Sequence, residues 1–151
     1  MGMRQRRGFS LIELLAVIFI LGVGLASISA LFVSGIVSSR KAQRISTANN
    51  MARQQMERLR SGGFSACVAD DWAFPSARGY TVVTSNPDGT GQVTFQVPQL
   101  PSGVGTVDIA YYDSGVGIYP NLKDITITID WAGGTPMEGT IVLRNFLANH
   151  P

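Results

Sequence analysis

The sequence predicts an α+β protein: a long N-terminal helix, apolar in its first half and amphipathic in its second, packed on a C-terminal antiparallel sheet of four or five strands. Three observations carry this. The run Leu14 to Val37 holds 24 residues without a formal charge. Apolar residues then recur at three- and four-residue spacing from Ala42 to Leu59. Beyond Gly62, glycine and proline break the chain into short β-prone segments, several of them strictly alternating.

The apolar run comes first. At about 1.5 Å per residue it spans roughly 36 Å as a helix, enough to cross a hydrocarbon core of about 30 Å with some tilt. A secretory signal peptide would need only about 7 to 15 apolar residues and a small-residue cleavage site. This segment instead continues, without such a site or a proline, into the next helical pattern. Arg4, Arg6 and Arg7 precede it and Arg40, Lys41 and Arg44 come after it, so the positive-inside comparison gives no orientation. The formal charge is +2 with a pI near 9.0, but the excess is concentrated at the N-terminus. Removing residues 1–8 would leave nine basic against ten acidic residues, a net of −1. All acids except Glu13 lie at Glu57 or beyond. Glu13, near the helix start, reads either as a carboxylate that snorkels to the interface and is eased by the helix dipole, or as one with a specific partner.

The string RRGFSLIELL, with Gly8 before Phe9 and Glu13 fifth from Phe9, closely resembles the class III signal of type IV pilins and pseudopilins. The resemblance implies cleavage between Gly8 and Phe9 by a membrane-embedded prepilin peptidase, followed by N-methylation of Phe9. It implies residues 1–8 as a removed leader, 9–39 as a transmembrane and fibre-core helix, 40–61 as its amphipathic continuation, and 62–151 as a β-rich head. The partners implied are prepilin peptidase, other pilin or pseudopilin subunits, an inner-membrane assembly platform and membrane lipid. The implied location is the inner membrane, single-pass with the head outside the cytoplasm, and then the pilus or pseudopilus. An α-amine titrates near 7.7 to 8.0, so cleavage would create a cation at Phe9 able to pair with Glu13 of a neighbour and set axial register. Gly22, Gly24, Ser27 and Ser29 lower helix propensity within the rod. Pilin helices often carry a proline there, whereas this chain has none before Pro75, so a continuous helix is expected in the isolated subunit.

Past Arg40, the stripe Ala42, Ile45, Ala48, Ala52, Met56 and Leu59 predicts a face laid on a partner layer. Lys41, Arg44, Arg53, Glu57 and Arg58 fall mostly opposite it. Ser61, Gly62 and Gly63 supply the stop. Residues 80–85 and 92–97 flank NPDGTG, read as a hairpin, and 106–112 is a further strand. In 124–131, Ile125, Ile127, Ile129 and Trp131 share one face. The chain returns at 139–147. Cys67, Trp72 and Phe74 are expected to cover an edge of the core. ARQQMERLRSG and DITITIDWAGGTPMEGTIVLRNFL are similar to the helix end and terminal hairpin of small minor pilins and minor pseudopilins, with Trp131 at the end of the first strand. A single cysteine excludes the disulfide with which many major pilins close their C-terminal region.

Other chemistry is thinly supplied, and no catalytic residue, cofactor or metal is assigned. The only histidine, His150, is penultimate, a poor position for a triad. Asp70 with Asp71, and Asp113 with Ser114 and Gly115, read as turn acids without calcium-loop spacing. NPDGTGQV lacks the lysine and helix of a phosphate loop. The protein is therefore expected to be a structural minor subunit of a type IV pilus or pilus-like fibre and not an enzyme. The alternatives are a minor pseudopilin of type II secretion, a competence pseudopilin, or a plain bitopic membrane protein with an extracytoplasmic β domain. Nucleic acid is a partner only for the competence reading, through Arg53, Arg58 and Arg60 with Tyr111, Tyr112 or Tyr119, whose adjacency sequence positions do not show.

Overall fold

The computed structural model describes residues 10–70, 73–133 and 138–149. The chain falls into two compact units that divide after Arg40. One helix, α1 (Leu11–Ala66), runs through both. It has no break before Gly63, whose φ of 77° and ψ of 178° lie in a region open essentially to glycine alone. The expected stop at Ser61 to Gly63 is thus a break at its last residue, and a short helical turn continues to Ala66.

The second unit pairs the end of α1 with five strands: β1 (Tyr80–Ser85), β2 (Gly91–Val97), β3 (Gly103–Asp113), β4 (Ile118–Trp131) and β5 (Gly139–Ala148). They form one antiparallel sheet in sequence order, a meander whose edges are β1 and β5. Alternation sorts the side chains. Val93, Phe95, Val107, Ile109, Ile125, Ile127, Ile129 and Trp131 are buried together with Ala48, Ala52, Met56 and Leu59 of α1. Thr81, Thr94, Thr106 and Thr128 stand opposite one another in register across four strands on the other side. One face thus supplies the core and the other is polar, the usual division in an antiparallel sheet covered on one side.

Two expectations about the helix need correction. The buried stripe begins at Ala48; Ala42 and Ile45 are exposed and lie outside the core cluster. The apolar period runs on beyond the stretch that the sheet covers. Arg58, expected on the solvated side, is half-buried. Its guanidinium donates to Tyr80 Oη and to Ala73 O, each at 2.8 Å, and lies 5.1 Å and 5.8 Å from the centroids of the Tyr80 and Phe74 rings. Tyr80 Oη donates in turn to Gln55 Oε1 at 2.9 Å. This polar cluster fastens the aperiodic segment after α1, whose Cys67 and Phe74 are buried as expected. Trp72 lies outside the described residues.

Tight packing also fixes strand pairing. Phe95 and Gly105 are directly opposed on β2 and β3, and the Phe95 ring occupies the space where a Gly105 side chain would stand. Trp131 covers Gly139 in the same way across β4 and β5. The bare glycine gives the ring a flat seat inside the core. Gly105→Ala should therefore lower unfolding stability by about 1–3 kcal/mol through overpacking. Denaturant unfolding of the full-length chain in detergent measures this, and an unchanged midpoint would show that the ring relocates freely.

Candidate assembly site on the N-terminal helix

The first turn of α1 opens with Glu13 N–H and Leu14 N–H donating to Ser10 O at 3.0 and 3.2 Å. From there to Ile36, every leucine, isoleucine, valine and phenylalanine is more than half exposed, Leu11 at 77%. Single exposed apolar residues are ordinary, but a contiguous apolar surface of this length needs lipid or another protein to cover it. Its best 18-residue window has a mean hydropathy of 2.6, and the helix is long enough to cross a membrane.

Two of the serines within this stretch are satisfied inside the helix. Ser27 Oγ donates to Val23 O and Ser29 Oγ to Leu25 O, both at 2.9 Å, so neither hydroxyl needs water. Gly22, Gly24 and Gly35 have nothing within 4 Å of where a side chain would begin, leaving shallow places along the rod where another helix can approach. Glu13 is the charged residue of this stretch. It is an exposed carboxylate in the first turn of an otherwise apolar surface, with no ion pair among the described residues. Gly8 and Phe9, the expected cleavage and methylation positions, lie outside the described residues.

The remaining candidates do not assemble into a site. Asp113 accepts from Gly115 N–H at 2.8 Å and Ser114 Oγ donates to Gly117 O, a self-contained turn. Asp70 accepts from Ala73 N–H at 2.8 Å, while Asp71 and His150 are outside the described residues. No group of three or more metal-binding side chains occurs among the described residues. The NPDGTG hairpin closes through Asp88, whose carboxylate takes hydrogen bonds from the Thr90 hydroxyl and N–H and is held below its ordinary pKa mainly by the hydroxyl. The basic and aromatic groups considered for nucleic acid are dispersed. Arg58 is bound to Tyr80, Arg60 pairs with Glu57 at 3.7 Å, Tyr111 donates to Asp88 O, and Tyr112 packs with Tyr119 and Phe146.

Sequence reading missed Lys123. It is 3% exposed; its ammonium donates to Phe64 O at 3.2 Å and Cys67 O at 2.5 Å and lies 4.8 Å from the Phe64 ring centroid. These carbonyls belong to the turn and loop just past Gly63, where helix ends leave acceptors without partners. A lysine there satisfies them and binds the exit of α1 to the sheet. The signal present in the sequence was parity: the alternation that turns Ile125, Ile127 and Ile129 inward also turns Lys123 inward. Burial pushes the Cys67 thiol up, while the Lys123 charge pulls it partly back.

This is the geometry of a membrane-anchored subunit: an apolar helix carrying one acid near its start, leading into a β-rich unit. Residues 3–29 match the family model described as the prokaryotic N-terminal methylation motif. The match supports recognition as type IV pilin-like, either pilin or pseudopilin, with prepilin peptidase processing and assembly with other pilin subunits as its implication. It points to a structural subunit. Comparisons with curated proteins and with solved structures gave no match.

Lys123→Met should cost about 1–3 kcal/mol, because the carbonyls of Phe64 and Cys67 would be left unsatisfied in the interior. It should also speed alkylation of Cys67 in the native protein, local opening of the loop outweighing the higher thiol pKa left by loss of the Lys123 charge, read by mass spectrometry after timed iodoacetamide treatment. Unchanged stability and labelling would show that the lysine anchors nothing. A thiol whose pKa is raised by folding contributes stability fully below its unfolded value of about 8.5 and loses it as pH rises beyond. Unfolding free energy should accordingly decline above about pH 8.5 in the native protein, and that component of the decline should vanish in Cys67→Ala, as pH-dependent denaturation would reveal.

Proposed function

We propose that this chain is a structural minor subunit of a type IV pilus or pilus-like fibre. The observation that carries the reading is the methylation motif at residues 3–29, running directly into an uncovered apolar helix whose first turn holds Glu13. Residues 1–8 form the leader, and prepilin peptidase cleaves between Gly8 and Phe9 and methylates the Phe9 amine. The segment 9–39 then holds the subunit in the inner membrane with 62–151 outside the cytoplasm, and 40–61 carries the helix into the head. On extraction into a fibre, the apolar rods cover one another in the core.

Glu13 is the register element. In an apolar fibre core an isolated carboxylate is costly, whereas one facing the protonated amine of a neighbouring Phe9 is compensated. Displacing the rods along the axis would leave both charges unmatched. The single cysteine, Cys67, is buried and leaves no intrachain disulfide, which favours a minor over a major subunit. A minor pseudopilin of type II secretion uses the same rod and register and differs in its assembly platform, so co-purification partners separate the two.

Intact-mass measurement of the protein from its native membrane should give a chain beginning at N-methylated Phe9; a chain retaining Arg4 to Gly8 would overturn the assignment. Glu13→Ala should still be cleaved at Gly8 while its recovery in sheared fibres falls about tenfold or more, the effect of about 1.4 kcal/mol per assembly step. Normal recovery would remove the register role while leaving the cleavage assignment to the mass measurement.

A further inference from the structure

Where the uncharged run of α1 ends, the helix carries charge of one sign. Arg40, Lys41 and Arg44 follow within seven residues of Val37, and no acid occurs between Glu13 and Glu57. At 3.6 residues per turn the three cations fall within an arc of about 100° on the helix. Arg40 and Lys41 are exposed and Arg44 is half-buried. Neither Arg40 nor Lys41 has an ion pair among the described residues. The sheet does not cover this turn: the buried stripe starts at Ala48, and Ile45 is still 38% exposed.

Helix length says what surrounds these cations. Glu13 and Arg40 are 27 positions apart, about 40 Å along an α-helix, and a bilayer with its headgroups is about 40–45 Å thick. A span that keeps the uncharged run in hydrocarbon therefore sets Glu13 in one headgroup layer and Arg40 in the other. Lys41 and Arg44 follow within about 6 Å, in the same layer. The oxygens met there are those of lipid phosphates, which an arginine fork binds in pairs and a lysine binds as a point charge. On the reading of 62–151 as the part outside the cytoplasm, this is the outer side, where the orientation rule disfavours basic residues. Three of them in five positions then need a use on that side.

We propose that Arg40, Lys41 and Arg44 bind anionic phospholipid headgroups at the outer face of the membrane and so hold the stored subunit at a fixed depth. The inference rests on the membrane reading of 9–39 and adds to it the lipid class and the residues that select it. Each basic residue close to an anionic surface strengthens binding about fivefold. An acidic face of another polypeptide is the competing occupant. The lipid surface is favoured because the length of the span sets the cluster among headgroups whether or not another subunit is present. Extraction into a fibre has to break these contacts, so the anionic lipid content of the membrane governs how firmly the subunit is stored.

The test uses the full-length chain, without prepilin peptidase, in bilayers of equal parts phosphatidylglycerol and phosphatidylcholine. Native mass spectrometry of the released protein counts the lipids it retains. The wild-type chain should retain phosphatidylglycerol preferentially, and the triple variant Arg40→Gln, Lys41→Gln, Arg44→Gln should lower that preference at least fivefold. The arginines of residues 1–8 contribute equally to both chains. Raising salt to about 1 M, where the screening length is about 3 Å, should remove the difference between them. Arg53→Gln with Arg60→Gln, which removes charge farther along α1, should leave the preference unchanged. Resistance to alkaline extraction from the same bilayers reads the membrane assignment separately. A chain that resists extraction yet shows equal preference in wild type and triple variant would overturn this proposal alone. An equal loss in the Arg53 and Arg60 variant would overturn it too, by showing that net charge and not this cluster selects the lipid. A chain released by alkali would remove the span and the proposal with it.

Discussion

One constraint organises the molecule: a single helix must serve two different surroundings. Up to Ile36 its apolar side chains are exposed all round, interrupted in charge only by Glu13, and among the described residues no other element of its own unit covers them. From Ala48 onward only one stripe is buried, against the molecule's own sheet. A water-soluble helix can hide one stripe, but not its whole circumference, so the first half needs lipid or other rods as its solvent. The second half has what it needs within the chain. Ala48 and Ala52 are small enough to bring helix and sheet close, and Met56 and Leu59 fill the space further along.

The segment after the helix is held by polar groups rather than by an apolar period. Gly63 breaks the helix, Lys123 takes up carbonyls just beyond the break, and Arg58 bridges Ala73 to Tyr80 between two rings. Lys123 is removed from water and Arg58 partly so, and both are compensated by oxygen acceptors and ring faces, not by a carboxylate. Such compensation is strongly directional. It fixes one exit path for the chain, whereas apolar burial alone would tolerate several.

The sheet divides its tasks between faces and edges. The threonine rank across β1 to β4 makes its outer face compatible with water, while the isoleucines of β4 make the inner face the middle of the core. β1, six residues with a register break and with Pro87 just beyond its end, carries features that discourage further pairing, and the ten-residue β5, in continuous register with β4, does not. A head built in this way is closed along one edge and open along the other. That asymmetry belongs to the β unit itself and owes nothing to the membrane segment.

Much of this was legible in the sequence. Composition determined the apolar rod, because 24 uncharged residues in succession fit few surroundings other than a bilayer. Alternation determined the strands, with Ile125, Ile127 and Ile129 inward, because a pleated chain has a period of two wherever it is placed. The N-terminal methylation motif was local too, a contiguous string at residues 3–29. Tertiary structure decided what depends on distant neighbours. Ala42 and Ile45 continue the helical stripe yet lie exposed, since burial requires an opposing layer and not merely the correct period. Lys123 and Arg58 look like surface cations in sequence; only folding brings carbonyls separated from them by 15 to 59 residues within hydrogen-bond reach. The openness of β5 could not be read beforehand either, because an edge exists only once strand order is set.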